Sequence, residues 1–259
     1  MPVDTISGFA NLFFFLTWNF LTMTNLYNAS YLGPGYVPRG WKPVNSEDEK
    51  KLQFCTPCNG FKTPRSHHCS KCNRCCMKMD HHCPWINNCV GHRNHQFFAR
   101  FLFFAIVGCI HACVIDMNSL YYAVFAGWYQ RYGDGTEPLI WLTFSSFIAL
   151  LFAIAMALAV TFALLILLLT QIRYMFRNRN GIEEYIHGKA INLRKKRDED
   201  DEEEIEWIKS LGEWNYPYDL GWKRNLREVW VGWFDGRTRA VFMKPFGIPN
   251  GFGKVFRTT

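Results

Sequence analysis

Residues 55–89 read CTPCNGFKTPRSHHCSKCNRCCMKMDHHCPWINNC, and the rest of the chain is read outward from them. Eight cysteines and four histidines fall between Cys55 and Cys89. Cys-x2-Cys pairs interleaved with histidine have metal-ligand spacing, and zinc accepts three thiolates and one imidazole at tetrahedral angles. Two such sites consume eight ligands: Cys55, Cys58, His68, Cys69, Cys72, Cys75, His82 and Cys89. Sequential filling groups the first four and the last four. Interleaved filling groups Cys55, Cys58, His68 and Cys75 apart from Cys69, Cys72, His82 and Cys89. Spacing alone leaves both open, because each division gives every ion one knuckle. Disulfides are rejected: this pattern reads as metal ligation, and paired bridges need an oxidising compartment.

The ligand count leaves a remainder. A purely structural zinc module explains eight residues and gives His67, Cys76, His81 and Cys83 no task. A cysteine needs a depressed pKa or an adjacent base to act as a nucleophile at neutral pH. His81 is the candidate base for Cys83, and Asp80 the candidate orienter of His81. A tight bend is expected here, to bring His81 and Cys83 to one side. Cys76 is read as structural or as an incidental modification site. Cys109 and Cys113 lie in an apolar stretch and are read as core residues.

The chain has 259 residues, 49% hydrophobic and 17% aromatic, with a formal net charge of +7. Three stretches approach the roughly 20 apolar residues that cross a bilayer: 9–32, 97–127 and 139–170. The first carries Asn11, Asn19, Thr22 and Asn25 on roughly one third of its circumference, a stripe expected to face other helices. Ten Lys and Arg lie between the first two spans, only Arg131 between the second and third, and a dense basic run follows the third. That asymmetry places the zinc segment, 52–96, and the C-terminal region, 171–259, on the cytoplasmic side, with the loop near Trp128 luminal. The predicted fold class is therefore an α-helical integral membrane protein with a cytoplasmic two-zinc, cysteine-rich domain of short β-hairpins and loops. The apolar spans argue against nucleic acid as the partner of the positive charge. A short amphipathic helix is expected over 182–193, and aromatics at Tyr218, Trp222, Trp230, Trp233 and Phe234 suggest a membrane-apposed or packed tail. The basic run 194–197 and acidic run 198–204 read as a solvated loop.

At the level of motifs the chain resembles the DHHC-type protein S-acyltransferases, or palmitoyltransferases. The resemblance is carried by Cys55-x2-Cys58, Pro64-Arg65-Ser66-His67-His68-Cys69-x2-Cys72-x2-Cys75 and Asp80-His81-His82-Cys83-Pro84-Trp85-x-Asn87-Asn88-Cys89. Gly33-Pro34-Gly35-Tyr36-Val37-Pro38 and Met77-Lys78-Met79 are most similar to the endoplasmic-reticulum form that carries a C-terminal SH3-like domain. The resemblance implies the interleaved zinc division. It implies that Cys83 takes an acyl group from acyl-CoA and passes it to a substrate cysteine, with His81 as base and Asp80 orienting it. It implies two structural Zn2+ ions, palmitoyl-CoA as substrate, and membrane-associated protein substrates with cytoplasmic cysteines beside a lipid bilayer. Lys62, Arg65 and His67 are the implied contacts for CoA phosphates. Trp85, Phe98 and Phe101 are the implied mouth of an acyl cavity, and Gly108 falls at its chain-length gate, where a glycine implies a deep slot. The endoplasmic reticulum is the implied location, with the Golgi as alternative.

Departures accompany the resemblance. Family members usually have four spans, so a further helix before residue 9 and a domain after residue 259 are expected that this sequence does not carry. An Asp-Pro-Gly motif stands as Gly33-Pro34-Gly35. A Thr-Thr-x-Glu motif stands as Asn180-Gly181-Ile182-Glu183, read as retaining only the acid. The C-terminal asparagine motif is recognised at Asn225. The competing readings are a catalytically impaired membrane scaffold that binds partner proteins, and a RING-like ubiquitin ligase. Neither of those needs Cys83 or His81.

Overall fold

The computed structural model describes residues 5–136, 138–186, 188–189 and 218–231. The runs 194–197 and 198–204, Trp233, Phe234 and the end of the helix expected over 182–193 lie outside the described residues. The helices in chain order are α1 (Ile6–Leu32), the single turn α2 (Ser46–Glu49), α3 (His95–Val124), α4 (Ala126–Tyr132) and α5 (Phe144–Arg177), followed by a helix over Trp222–Val231. α1, α3 and α5 are each long and apolar enough to cross a membrane, at 27, 30 and 34 residues. The described residues divide into two compact units: those up to 27 with those of 97–171, and those of 28–96 with those after 171.

The first unit holds the apolar helices. Thr5 caps α1, its hydroxyl accepting the Gly8 N–H at 3.0 Å, which satisfies one of the orphan donors of a first turn. Outward faces present Phe13, Phe20, Val114, Phe152 and Phe162, a surface suited to lipid rather than water. The polar stripe of α1 meets its hydrogen-bonding demand partly within the helix and partly against α3. Asn11, Asn19, Thr22 and Asn25 each donate to the carbonyl four residues earlier, which meets one donor of each inside the helix. Asn11 also reaches another helix, its Oδ1 lying 3.1 Å from His111 Nε2 on α3. α3 ends at Val124, before the expected limit of 127. The chain turns at Phe125, whose φ −94°, ψ 6° leaves the helical region, and α4 starts at Ala126, inside the expected span, and runs into the expected loop. Tyr121, Phe125 and Tyr129 gather there, with ring centroids 4.9 and 6.5 Å from Tyr121. α5 begins after Thr143, whose hydroxyl accepts the Ser146 N–H at 3.2 Å, so a cap rather than the first apolar residue at 139 sets its start.

The second unit is three two-stranded antiparallel hairpins: β1 (Phe54–Cys55) with β2 (Gly60–Phe61), β3 (His67–Cys69) with β4 (Arg74–Cys76), and β5 (His81–Cys83) with β6 (Asn88–Val90). Asn59, Asn73 and Asn87 sit in the left-handed region at φ 47–49°, where asparagine is favoured among non-glycine residues. Asn59 and Asn73 each directly follow the second cysteine of a Cys-x2-Cys knuckle. Residues 34–37 run beside β4, with Val37 N–H bonded to Cys75 O and Met77 N–H to Gly35 O, both at 2.9 Å. Gly91 lets this strand approach. A Cβ there would stand 2.7 Å from Pro34 Cβ and 2.8 Å from the Met77 carbonyl oxygen. Gly91→Ala is expected to destabilise the folded protein by about 2 kcal/mol or more through overpacking, read as a lowered unfolding midpoint of the zinc-loaded protein in detergent.

The junction after α5 is a Schellman motif. Asn178 adopts φ 48°, Arg179 N–H reaches Tyr174 O at 3.0 Å, and Asn178 N–H reaches Met175 O at 3.2 Å. Residues 181–186 then form a helical turn that starts with a capping box. Asn180 Oδ1 accepts the Glu183 N–H at 2.7 Å, and Glu183 Oε2 accepts the Asn180 N–H at 3.0 Å. Asn180, which departs from the threonine of the motif, therefore caps this turn. Asn225 donates to Phe176 O at 2.7 Å and accepts the Leu220 N–H at 3.0 Å, holding the helix Trp222–Val231 to the end of α5.

Candidate active site and metal centres

The metal-capable side chains gather in interleaved fours. Cys55, Cys58, His68 and Cys75 form one cluster; Cys69, Cys72, His82 and Cys89 form the other, with ligand atoms within 4.8 Å of one another in each. Zn–S of ~2.3 Å and Zn–N of ~2.0 Å at tetrahedral angles imply S···N edges near ~3.6 Å. His68 Nδ1 lies 3.5, 3.4 and 3.9 Å from Cys55, Cys58 and Cys75. His82 Nδ1 lies 3.6, 3.4 and 3.7 Å from Cys69, Cys72 and Cys89. Both donor sets fit zinc in type and spacing. The interleaving follows from register. β3 pairs His68 with Cys75, and β5 pairs His82 with Cys89, so each histidine meets its last cysteine directly across a hairpin.

β5 then sorts its three residues by face. Successive side chains of a strand alternate, so His82 turns to its metal cluster while His81 and Cys83 share the opposite face. The tight bend expected from sequence is absent. Cys83 is extended at φ −105°, ψ 113°, the region that the following proline favours, and extension itself puts residues 81 and 83 side by side. Cys83 is buried, whereas Trp85 is 87% exposed on the short 3-10 turn Pro84–Ile86.

The charges of the group are set by these contacts. Burial opposes ionisation of Asp80, yet the His81 hydrogen bond, with nearby His95 and the Gly181 N–H, holds its carboxyl down at about 2. His81 Nδ1–H donates to Asp80 Oδ2 at 2.6 Å, and Asp80 Oδ1 accepts the Gly181 N–H. Burial favours neutral His81, but its bonds to Asp80 and Cys83 push it up to about 9. Burial raises the Cys83 thiol; His81, together with the backbone N–H groups of Ile86 and Trp85, overcomes this and lowers it below its ordinary value. The arrangement favours a thiolate–imidazolium pair.

Asp80, His81, Cys83, the eight ligands, Lys62, Arg65, His67 and Trp85 all belong to the second unit, and Phe98, Phe101 and Gly108 to the first. Lys62 lies near the surface, bonded to Gln53 at 3.2 Å. Burial lowers the His67 imidazole, as does the Lys62 ammonium. Arg65 is turned inward. Its side chain is 2% exposed, and its guanidinium is committed to Glu183 and Asn178. Phe98 is buried and lies 6.3 Å from Phe101, centroid to centroid. Gly108 faces α1, where a Cβ would meet Trp18 Cβ at 3.6 Å, and Trp18 stacks on Phe104 at 6.4 Å. On that face the approach of α3 to α1 is an ordinary van der Waals contact. Sequence reasoning missed Gly181 and Asn178. Two signals pointed at them: the asparagine just after an arginine-ended helix, a C-cap position, and the altered motif Asn180-Gly181-Ile182-Glu183.

Comparison with known proteins gives one consistent result. The family model for DHHC palmitoyltransferase matches residues 48–188. "Palmitoyltransferase ZDHHC6" of Danio rerio is 41% identical over 245 residues, covering 89% of this chain and 57% of that protein. The Homo sapiens protein of the same name is 38% identical over 244 residues, covering 89% and 56%. "Palmitoyltransferase pfa4" of Emericella nidulans is 57% identical over 88 residues, covering 32% and 20%. The chain thus spans a little over half the length of the first two.

Proposed function

The chain belongs to the DHHC palmitoyltransferase family, and from that premise we propose that it moves a palmitoyl or longer acyl group from acyl-CoA, through a thioester on Cys83, to cysteines of membrane-associated proteins. The observation that carries this reading is the placement of His81 and Cys83 on one face of β5, with His82 turned to the metal cluster on the other. Zinc, when bound, supplies structural cross-links that keep the hairpins folded.

The chemistry then runs in two steps. The Cys83 thiolate attacks the thioester carbonyl carbon of acyl-CoA. The C–S bond to CoA breaks, and the departing CoA thiolate takes the proton of the His81 imidazolium. In the second step a substrate thiol returns a proton to His81 and attacks the Cys83 thioester, releasing the Cys83 thiolate. Asp80 fixes the ring orientation throughout and offsets the imidazolium charge. This is a ping-pong sequence. The Lys and Arg asymmetry supports a cytoplasmic site, and the resemblance supports the endoplasmic reticulum as its location.

The test is incubation of purified, zinc-loaded protein with labelled palmitoyl-CoA. Hydroxylamine-labile label on the protein is expected. No label on folded, zinc-loaded protein refutes the proposal in favour of a scaffold.

A further inference from the structure

Asp80 is gripped by a clasp that none of the catalytic residues supplies. Arg65 Nε and Nη2 donate to Glu183 Oε1 and Oε2 at 2.7 and 2.8 Å, a bidentate pair. The same guanidinium donates to Asn178 Oδ1 at 3.1 Å and to Asn178 O at 2.6 Å. Lys78, two residues before Asp80 and itself buried, donates to the same Asn178 Oδ1. Asn178 Nδ2 donates onward to Tyr218 O at 2.8 Å, and the Arg65 guanidinium lies 4.4 Å over the Tyr218 ring. Glu183 is also the acid of the capping box, so fixing its carboxylate fixes Asn180 and the Gly181 N–H between them. That N–H is the donor to Asp80 Oδ1. The fit is close: a Cβ on Gly181 would stand 3.1 Å from Asp80 Oδ1. Arg65 is held in the left-handed region at φ 63°, an uncommon backbone for arginine that persists where surrounding contacts over-determine it.

We infer that Arg65 is a positioning residue, whose ion pair with Glu183 aims Asp80, and through it His81, at Cys83. Resting on the acyltransferase reading, this assigns Arg65 a role different from holding CoA phosphates. The two roles separate experimentally. Iodoacetamide alkylates a cysteine by forming an S–C bond with loss of iodide and needs no CoA site. It therefore reads the Cys83–His81 alignment directly, by mass spectrometry of the Cys83 peptide.

In Arg65→Ala and in Glu183→Gln, Cys83 alkylation at neutral pH is expected to slow by about tenfold or more, since small misplacements near reacting groups are costly. The KM for palmitoyl-CoA should stay within about twofold, with zinc content unchanged. The charge swap Arg65→Glu with Glu183→Arg is expected to recover part of the alkylation rate. Wild-type alkylation with a raised palmitoyl-CoA KM in Arg65→Ala overturns the inference and restores the phosphate contact. If Arg65→Ala loses zinc, Glu183→Gln decides, and a wild-type alkylation rate in it overturns the inference. Failure of the wild-type protein to take palmitate would count against the acyltransferase reading alone, because alkylation of Cys83 does not depend on it.

Discussion

Cys83→Ser abolishes acylation: labelled palmitoyl-CoA leaves no hydroxylamine-labile label on the protein, and transfer to any substrate falls by on the order of 10⁴-fold or more, as for loss of other enzymic nucleophiles. The reason is chemical rather than steric. Serine is close in size, so β5 keeps its pairing of residue 83 with Asn88. A hydroxyl, however, has no accessible anion at neutral pH. The imidazole raised to about 9 by Asp80 and the thiolate is tuned to pair with a sulfur anion, not to deprotonate an alcohol. Residue 83 stands outside both ligand sets, so metal analysis should still give about two zinc per chain. Label that survives in Cys83→Ser places the acyl group elsewhere and removes Cys83 from the reaction. A membrane scaffold or a RING-like module would be indifferent to this substitution.

The sequence made the metal-capable residues legible because metal chemistry imposes residue types at short spacings that survive without any knowledge of the fold. The pairing of ligands into sites was not legible from spacing, since it depends on which strands pair. His68 finds Cys75, and His82 finds Cys89, only through the β3–β4 and β5–β6 registers. The face shared by His81 and Cys83 was misread as requiring a bend, although period-two alternation already supplied it. The apolar helices were visible by composition. Their ends were not, because Thr143 and Asn178 set the limits of α5 by capping and not by hydropathy. Arg65 shows the deeper limit. A basic residue beside a zinc knuckle reads equally as an anion contact or as half of an ion pair, and its partner Glu183 lies 118 positions away.

Removing one zinc ligand costs more than one zinc. Take Cys72→Ala. The strands that carry the ligands are two or three residues long, and isolated two-stranded hairpins of that size have little stability in water. Zinc binding free energy is therefore folding free energy for this unit. Interleaving then couples the two sites. His68 and Cys69 are neighbours on β3 but belong to different clusters, and β3 must keep its register with β4 for Cys75 to reach the first cluster. Losing the second ion frees Cys69, lets β3 fray, and loosens His68 and Cys75 as well. It also frees His82, so β5 no longer holds His81 and Cys83 on a fixed face. Purified Cys72→Ala should retain well under one zinc per chain, show faster amide exchange in both β3–β4 and β5–β6, and take no detectable palmitate. A variant that keeps one firmly bound zinc and protected β3–β4 amides would show the sites to be independent, as sequential filling would have made them.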